Sequence, residues 1–165
     1  MKFLISPWSR PLRNGKMNAK NYPFFSALIM FLTSAGIGTI QIGLSYEAKY
    51  NCSAHMPDLS MDSLAQLLRE VDGFISVDNF FPHFANFHKK SGVVLFGRSD
   101  PNIFGYPENL NIIKDRSLLR PQQFANWEDI EHTNDCFVPP KDVFRLIQGR
   151  YPEISSTMVL DLSQV

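Results

Sequence analysis

The sequence predicts an α/β protein, a Rossmann-like three-layer sandwich with a mostly parallel sheet. Segments typical of strands alternate with segments typical of helices, as in repeated βαβ units. The strand segments are uniformly apolar, "VVLF" at 93–96 for example, as in a sheet covered on both faces. The length of 165 residues suits one domain with its own core. We therefore expect residues 1–150 to form one domain and residues 151–165 to form a C-terminal tail.

Apolar runs and turn residues define the elements in chain order. The predicted strands are KFLIS, GTIQIG, FISV, GVVLF and, less regularly, NLNIIK. The predicted helices cover residues 23–35, 58–73, 82–89 and 140–149. The second of these carries leucines at helical spacing and ends at Gly73, and the last is expected to end at Gly149. Residues 46–57 and 115–140 give no clear pattern.

Charge is balanced overall but unevenly distributed. Lysine plus arginine and aspartate plus glutamate each number 16, so the global field does not steer the chain towards nucleic acid, and no nucleic-acid partner is expected. All basic residues of the first quarter, Arg10 and Lys20 among them, precede the first acidic residue, Glu47. This segment is either a solvated basic loop or a surface that faces an anion.

The cysteines and histidines favour neither a disulfide framework nor a metal site. Cys52 and Cys136 are far apart and lack zinc-ligand spacing, which favours a reducing compartment, the cytoplasm. His83 and His88 are five residues apart, which is wrong for one helix face, so no metal and no cofactor is expected.

The uncharged stretch 22–46 raises the question of a membrane span. Its continuous apolar part, "FFSALIMFL", is short for one, and threonine, serine, glycine and glutamine follow it. We predict no transmembrane segment here, but a buried helix followed by a buried strand. Membrane association through this phenylalanine-rich helix remains a third alternative.

Polar or small residues follow the predicted strands where each one ends. These clusters are Ser6-Pro7, Gly43, Asp78-Asn79 and Gly97-Arg98. In a parallel sheet the carboxyl ends of the strands share one edge, and ligands bind in the crevice outside that edge. The sequence therefore predicts that these clusters line a common crevice.

Each cluster has a binding interpretation and a structural one. Glu47, one loop beyond Gly43, is placed to accept hydrogen bonds from a ribose or is simply a surface acid. The sequence lacks a GxGxxG segment, so it carries no nicotinamide-dinucleotide fingerprint. Asp78 and Asn79 either cap the following helix or frame a phosphate at its N-terminus. His83 either donates to an anion or is a satisfied structural histidine.

The glycine-rich end of the fourth predicted strand has similar alternatives. Gly97 permits close approach of a ligand to the backbone, and Arg98 can pair with a phosphate. Asp100, which precedes Pro101, either joins them or only starts a turn. Together with the basic N-terminal segment, the clusters favour a nucleotide or nucleotide-sugar site.

The segment from Ser63 to Leu110 resembles the C-terminal donor-binding domain of the bacterial lipopolysaccharide heptosyltransferase family, the ADP-heptose glycosyltransferases. The matching features are a strand ending in Asp78, then His83 with an alanine two residues on, and "GRSDP" after the next strand. Upstream, "KNYP" and "IQIGLSYE" are similar to the family's Lys-x-Trp-Pro and strand-glycine-acid segments. Residues 3 to about 147 align with one half of such a GT-B enzyme. Asn79 and Phe80 stand where the family has Thr-Gly or Ser-Gly.

The resemblance implies a function for these residues. A nucleotide-diphosphate sugar, possibly an ADP-sugar, is the expected ligand, and inverting transfer without a metal is the expected reaction. Lys20, with Arg10 or Arg98, would neutralise the leaving diphosphate, and Glu47 would hold the ribose. No residue is assigned as the general base.

Two readings of function follow. In the first, the chain is a glycosyltransferase whose cleft is completed by a homodimer partner or by a separate acceptor-domain chain. In the second, it is a non-catalytic nucleotide or nucleotide-sugar binding module: a sensor, a sequestering protein or a subunit.

Overall fold

The structure is a computed structural model, and it describes residues 1–154. It contains six strands and five helices, which alternate along the chain except that the third strand follows the second directly, and two short 3₁₀ turns precede the last helix. The strands are β1 (Lys2–Ser6), β2 (Gly38–Gly43), β3 (Ala54–Pro57), β4 (Gly73–Val77), β5 (Val93–Leu95) and β6 (Leu110–Ile112). The helices are α1 (Phe25–Ser34), α2 (Met61–Arg69), α3 (Phe80–Phe87), α4 (Pro101–Phe104) and α5 (Pro140–Arg150).

All six strands pair in parallel, in the order β3-β2-β1-β4-β5-β6. This is the strand order of the dinucleotide-binding α/β folds, with the order reversing at β1. In the centre of the sheet Leu4 lies beside Ile40 on one strand and Phe74 on the other. The predicted Rossmann-like fold class is therefore confirmed.

Alternating side chains of the central strands pack into two hydrophobic cores, one on each face of the sheet. Phe3 and Ile5 point into the core that α1 and α5 cover, whereas Leu4 points into the core that α2 and α3 cover. Each of these side chains is fully buried. Full burial of one such side chain stabilises the fold by about 1.5–3 kcal/mol. The sheet is thus held from both sides, as its uniformly apolar strands predict.

Several element boundaries differ from the predicted ones. The edge strand β3 and the four-residue helix α4 lie in stretches for which no element was predicted. Helix α3 begins at Phe80 rather than at Pro82, so that Pro82 occupies its first turn. Helix α5 continues through Gly149 to Arg150.

The end of the described chain packs against the central strands. Ile154 is buried, and the Tyr151 ring meets the Phe3 ring edge-on at 4.9 Å. Residues 155–165, most of the predicted tail, lie outside the described part of the chain, and the predicted domain boundary at residue 150 stays a prediction.

The phenylalanine-rich helix α1 belongs to the core. Phe25, Leu28 and Leu32 are completely buried, and α5 packs beside α1 on the same face of the sheet, with the Phe31 and Phe144 rings stacked at 5.6 Å. Among residues 1–154, no helix combines the length and apolar content needed to cross a bilayer.

Candidate functional site

A cleft of about 670 Å³ opens at the carboxyl edge of the sheet, between the ends of β1, β2 and β4 and the first turns of α2 and α3. This is the edge at which α/β sheets bind ligands. Seven of the ten predicted site residues line it: Arg10, Lys20, Gly43, Glu47, Asp78, Asn79 and His83. The structure thus brings together residues up to 73 positions apart in sequence.

The loop between β1 and α1 forms one wall of the cleft, and its own asparagines hold it in place. The buried Asn18 accepts a hydrogen bond from the Lys20 amide (3.0 Å) and donates one to the Arg10 carbonyl (3.0 Å). Asn21 accepts from the Ser9 amide at 2.8 Å. These contacts replace regular secondary structure, because a polar loop must satisfy its buried backbone groups locally. Lys20 is therefore presented from a fixed backbone.

Lys20 and Asp78 form a largely buried ion pair inside the cleft. The Lys20 Nζ lies 2.8 Å from an Asp78 carboxylate oxygen, and the two side chains are only 17% and 5% exposed. The Lys20 ammonium also stands 4.6 Å from the centroid of the Trp127 ring and 5.5 Å from that of Phe104. Such aromatic faces stabilise a cation that has lost part of its water. Lys20 is thus fixed in the cleft by one carboxylate and two rings.

Arg10 is the more exposed of the two cations that line the cleft. Its side chain is 62% exposed, and its one acidic neighbour among the ion pairs of residues 1–154, Glu128, is 4.0 Å away. A pair at that distance in solvent contributes little to stability. The Arg10 guanidinium is therefore free to turn towards an anion.

Glu47 folds back on the end of β2. Its carboxylate accepts a hydrogen bond from the Leu44 amide at 2.9 Å. Gly43 has a φ of 146°, and a Cβ atom there would collide with the Glu47 carboxylate. Burial raises the pKa of Glu47, the Leu44 hydrogen bond opposes that shift, and Asp58 adds to it. Gly43 therefore makes room for the half-buried Glu47 carboxylate at the sheet edge.

Asn79 serves the fold as well as lining the cleft. Its side-chain oxygen caps α3 by accepting from the Phe81 amide at 2.8 Å. Its amide nitrogen donates to the Ser6 hydroxyl at 2.9 Å and to the Trp8 carbonyl at 3.0 Å. These bonds tie the end of β1 to the start of α3. Of the two alternatives for Asn79, the structure shows the capping one.

His83 lies on α3, facing the cleft, with an exposed side chain. Its Nδ1 is 2.9 Å from the Tyr106 hydroxyl, and the two rings meet edge-on with centroids 5.5 Å apart. A partner on Nδ1 fixes the orientation of an imidazole and leaves Nε2 for another contact.

Three predicted site residues, Gly97, Arg98 and Asp100, do not line the cleft, and a binding role for them stays a prediction. A Cβ at Gly97 would lie 2.5 Å from the Phe137 ring, so the close neighbour of this glycine is a core side chain. The Arg98 side chain reaches towards Cys136. Asp100 caps α4 and pairs with Arg116 at 2.7 Å. The strand end carrying these residues turns away from the cleft, towards residues 116–137.

Several cleft residues were not predicted. Asp58, whose carboxylate accepts from the Ser45 amide at 3.1 Å, adds a second acid beside Glu47. Phe104 and Trp127 come from elements without a sequence signal. The mouth carries large, substantially exposed apolar side chains: Leu44, Tyr46, Met56, Met61 and Phe80. Exposed apolar groups lining one concavity are typical of ligand sites.

Comparison with known proteins supports the same fold. The chain superposes on an Escherichia coli ADP-heptose lipopolysaccharide heptosyltransferase II with a TM-score of 0.65 and 15% sequence identity over 92% of its length. It superposes on heptosyltransferase TibC in complex with ADP-D-β-D-heptose with a TM-score of 0.62 and 16% identity over 93% of its length. For E. coli heptosyltransferase WaaC with ADP, the values are 0.60, 14% and 90%.

The chain spans less than half of each of these proteins, 46%, 44% and 43% of their lengths. No protein-family model matches the sequence, and no curated protein is significantly similar to it. The resemblance to heptosyltransferases is confirmed as a likeness of fold to about one half of such an enzyme.

The cleft combines charged side chains with an apolar mouth. Two cations, three carboxylates, one histidine and an apolar mouth suit a ligand with an anionic part, hydroxyl groups and an apolar ring. Among residues 1–154, no group of three or more histidine, cysteine, aspartate or glutamate side chains is arranged to hold a metal ion.

Proposed function

We propose that the chain binds a nucleotide-diphosphate sugar in the cleft at the carboxyl edge of its sheet. The observation that carries the proposal is the convergence of Lys20, Glu47, Asp78 and His83 on one cleft. The fold likeness supports it, because the similar TibC and WaaC structures are complexes with ADP-D-β-D-heptose and ADP. An ADP-sugar is accordingly the first ligand to test.

The parts of the ligand have natural places in the cleft. Glu47 lies one loop beyond β2, where Rossmann-like folds place the acid that accepts from ribose hydroxyls. The apolar mouth around Tyr46 and Met56 would take the base. Arg10 and Lys20 would contact the diphosphate, and Asp78 and His83 would accept and donate hydrogen bonds at the sugar end.

The first form of the proposal is a glycosyltransferase of the GT-B kind. Cations close to the leaving diphosphate stabilise the charge that develops as the glycosidic bond breaks. The chain spans less than half of the similar enzymes, so we propose that a second copy or a separate acceptor-domain chain completes the cleft. Two free cysteines favour a reducing compartment, and we place the protein in the cytoplasm on that ground.

A specific observation favours the second form, a binding module without turnover. Asn79 is fully engaged in joining β1 to α3, and the exposed Phe80 follows it at the mouth of the cleft. Both stand where the resembling family has Thr-Gly or Ser-Gly, which narrows access to the helix N-terminus for a phosphate.

Two measurements separate these forms. Isothermal titration calorimetry with ADP-, UDP- and GDP-sugars tests binding, and both forms predict at least one ligand. Incubation with the bound sugar nucleotide, radiolabelled in the sugar, then tests turnover. Release or transfer of the label supports a transferase whose cleft a second copy completes. Binding without release contradicts that homodimeric enzyme and leaves the module or a transferase that needs a separate acceptor-domain chain. Failure of every sugar nucleotide to bind contradicts both forms.

A further inference from the structure

Arg120 is the most deeply buried basic residue of the described chain, with 4% of its surface exposed. None of the ion pairs within residues 1–154 includes it. Burial lowers the pKa of its guanidinium, and Asp129 opposes that shift from farther away. A buried cation without a carboxylate partner destabilises the folded state. Other groups around Arg120 must therefore stabilise its charge.

The surroundings of Arg120 lead directly to the cleft. Its guanidinium carbon lies 4.3 Å from the centroid of the Trp127 ring, and the Lys20 ammonium lies 4.6 Å from the same centroid. Trp127 lines the cleft, whereas Arg120 does not. One indole ring therefore contacts two cations, one inside the cleft and one in the adjoining wall.

The backbone of Arg120 is hydrogen-bonded to the segment that follows β5, which does not line the cleft. Its amide donates to the Arg98 carbonyl at 3.0 Å, and Gln123 bridges the Arg98 and Arg120 carbonyls at 3.0 and 2.7 Å. Gln123 also accepts from the Asp100 amide at 2.9 Å. The segment "GRSDP" thus acts on the cleft indirectly, by anchoring Arg120 beneath Trp127.

The charge of Arg120 affects the binding of an anion near Lys20. Asp78 neutralises Lys20 at 2.8 Å, so the pair by itself offers an anion no excess positive charge. Arg120 adds one positive charge that no carboxylate pairs with at short range. Inside a protein, where screening is weak, a charge roughly 10 Å away still changes binding appreciably.

We infer that Arg120 is a positioning residue that raises the affinity of the cleft for anionic ligands, by holding Trp127 beside Lys20 and by supplying the positive charge that Asp78 cancels on Lys20. This inference rests on the proposed function, in which the diphosphate binds near Lys20. The residue touches no ligand itself, so its effect should depend on the charge of the ligand.

The test compares ADP with adenosine by calorimetry, in the wild type and in Arg120→Gln. Loss of one positive charge at this distance should weaken ADP binding about tenfold and adenosine binding less than twofold. Arg120→Lys keeps the charge but loses the planar guanidinium that faces Trp127, so it should recover most of the ADP affinity, to within about threefold of the wild type. Arg145→Gln, on the exposed face of α5, removes the same charge far from the cleft and should change neither.

The ADP and adenosine affinities of the variants decide between a charge effect and a purely structural role of Arg120. Equal ADP affinity in Arg120→Gln and Arg145→Gln overturns the inference and leaves the proposed function standing. Equal losses for ADP and adenosine also overturn it, because they show a role in shape alone. If Arg120→Gln does not fold, as judged by circular dichroism, Arg120→Met takes its place with the same expectations. If the wild type binds neither ADP nor adenosine, UDP with uridine and GDP with guanosine are compared in the same way, and a wild type that binds no nucleoside diphosphate overturns the inference. Failure of every sugar nucleotide to bind contradicts the proposed function as well.

Discussion

Asp78 carries the more deeply buried charge of the Lys20–Asp78 ion pair in the cleft. Its carboxylate is 5% exposed and depends on Lys20 for its neutralisation. Lys20 depends less on Asp78, because it is 17% exposed and also meets two aromatic rings. Removing one partner of a buried pair leaves the other charge uncompensated, which costs more than the pair contributes.

Lys20→Met should therefore lower the free energy of unfolding by about 3 kcal/mol, and Asp78→Asn by about 1–2 kcal/mol. The double variant should lose less than the sum, with a coupling of about 1–2 kcal/mol. Urea denaturation of all four proteins measures this cycle. Additive losses would show that the two side chains do not interact in solution.

Gly43 and Gly149 offer a matched pair of glycine substitutions. Gly43 has a positive φ, and a Cβ there would meet the Glu47 carboxylate, whereas Gly149 lies in α5 with no atom within 4 Å of an added Cβ. Gly43→Ala should destabilise the fold by about 1–3 kcal/mol, and Gly149→Ala should stabilise it by about 0.5–1 kcal/mol. Equal effects in thermal unfolding would rule out the geometry at the end of β2.

The raised pKa of Glu47 predicts a pH dependence of stability. A carboxyl whose pKa is higher in the folded state than its unfolded value of 4.5 favours folding when protonated. Its contribution is fully present below that value and declines as the pH rises through the folded pKa. The stability of the wild type relative to Glu47→Gln should thus fall between pH 4 and pH 7, as measured by urea unfolding at each pH. A constant or rising difference would contradict the half-buried placement of the Glu47 carboxylate.

At the scale of elements, helix α3 is attached to the sheet through its N-cap. Asn79 makes the capping bond and also two bonds to the end of β1, whereas Ser60 caps α2 through Ser63 alone. Asn79→Ala should cost about 2–3 kcal/mol, and Ser60→Ala about 1 kcal/mol. Chemical denaturation of both variants measures the difference. A cost for Asn79→Ala no larger than that for Ser60→Ala would mean that the bonds to β1 contribute nothing.

Elements that are buried in the core could be predicted from the sequence, whereas exposed or very short elements could not. The strands β1 and β4 and the amphipathic helix α2 are recognisable because apolar periodicity reflects burial. Strand β3 is an exposed edge strand, and such a strand carries no apolar run. Helix α4 is too short for periodicity, with four residues. Sequence patterns thus identified the elements that build the core and missed those at its margins.

At the scale of the whole molecule, the shared sheet edge explains which site residues were predictable. Residues just beyond β1, β2 and β4 reach the cleft because those strands are central and adjacent. Residues just beyond β5 do not reach the cleft, because Gly97 is packed against Phe137 and the chain turns away there. Trp127 was not predicted, because it approaches Lys20 from more than a hundred residues away in an irregular segment. No local pattern encodes that kind of contact.

We propose that the carboxyl edge of this sheet forms one anion- and sugar-binding cleft around Lys20. Calorimetric titration of an ADP-sugar into the wild type, Lys20→Met and Lys141→Met tests it most directly, because Lys141 is an exposed lysine of α5 outside the cleft. We expect saturable binding to the wild type and to Lys141→Met, and binding at least about tenfold weaker to folded Lys20→Met. Equal affinity in all three proteins, or no binding to the wild type, would contradict the account.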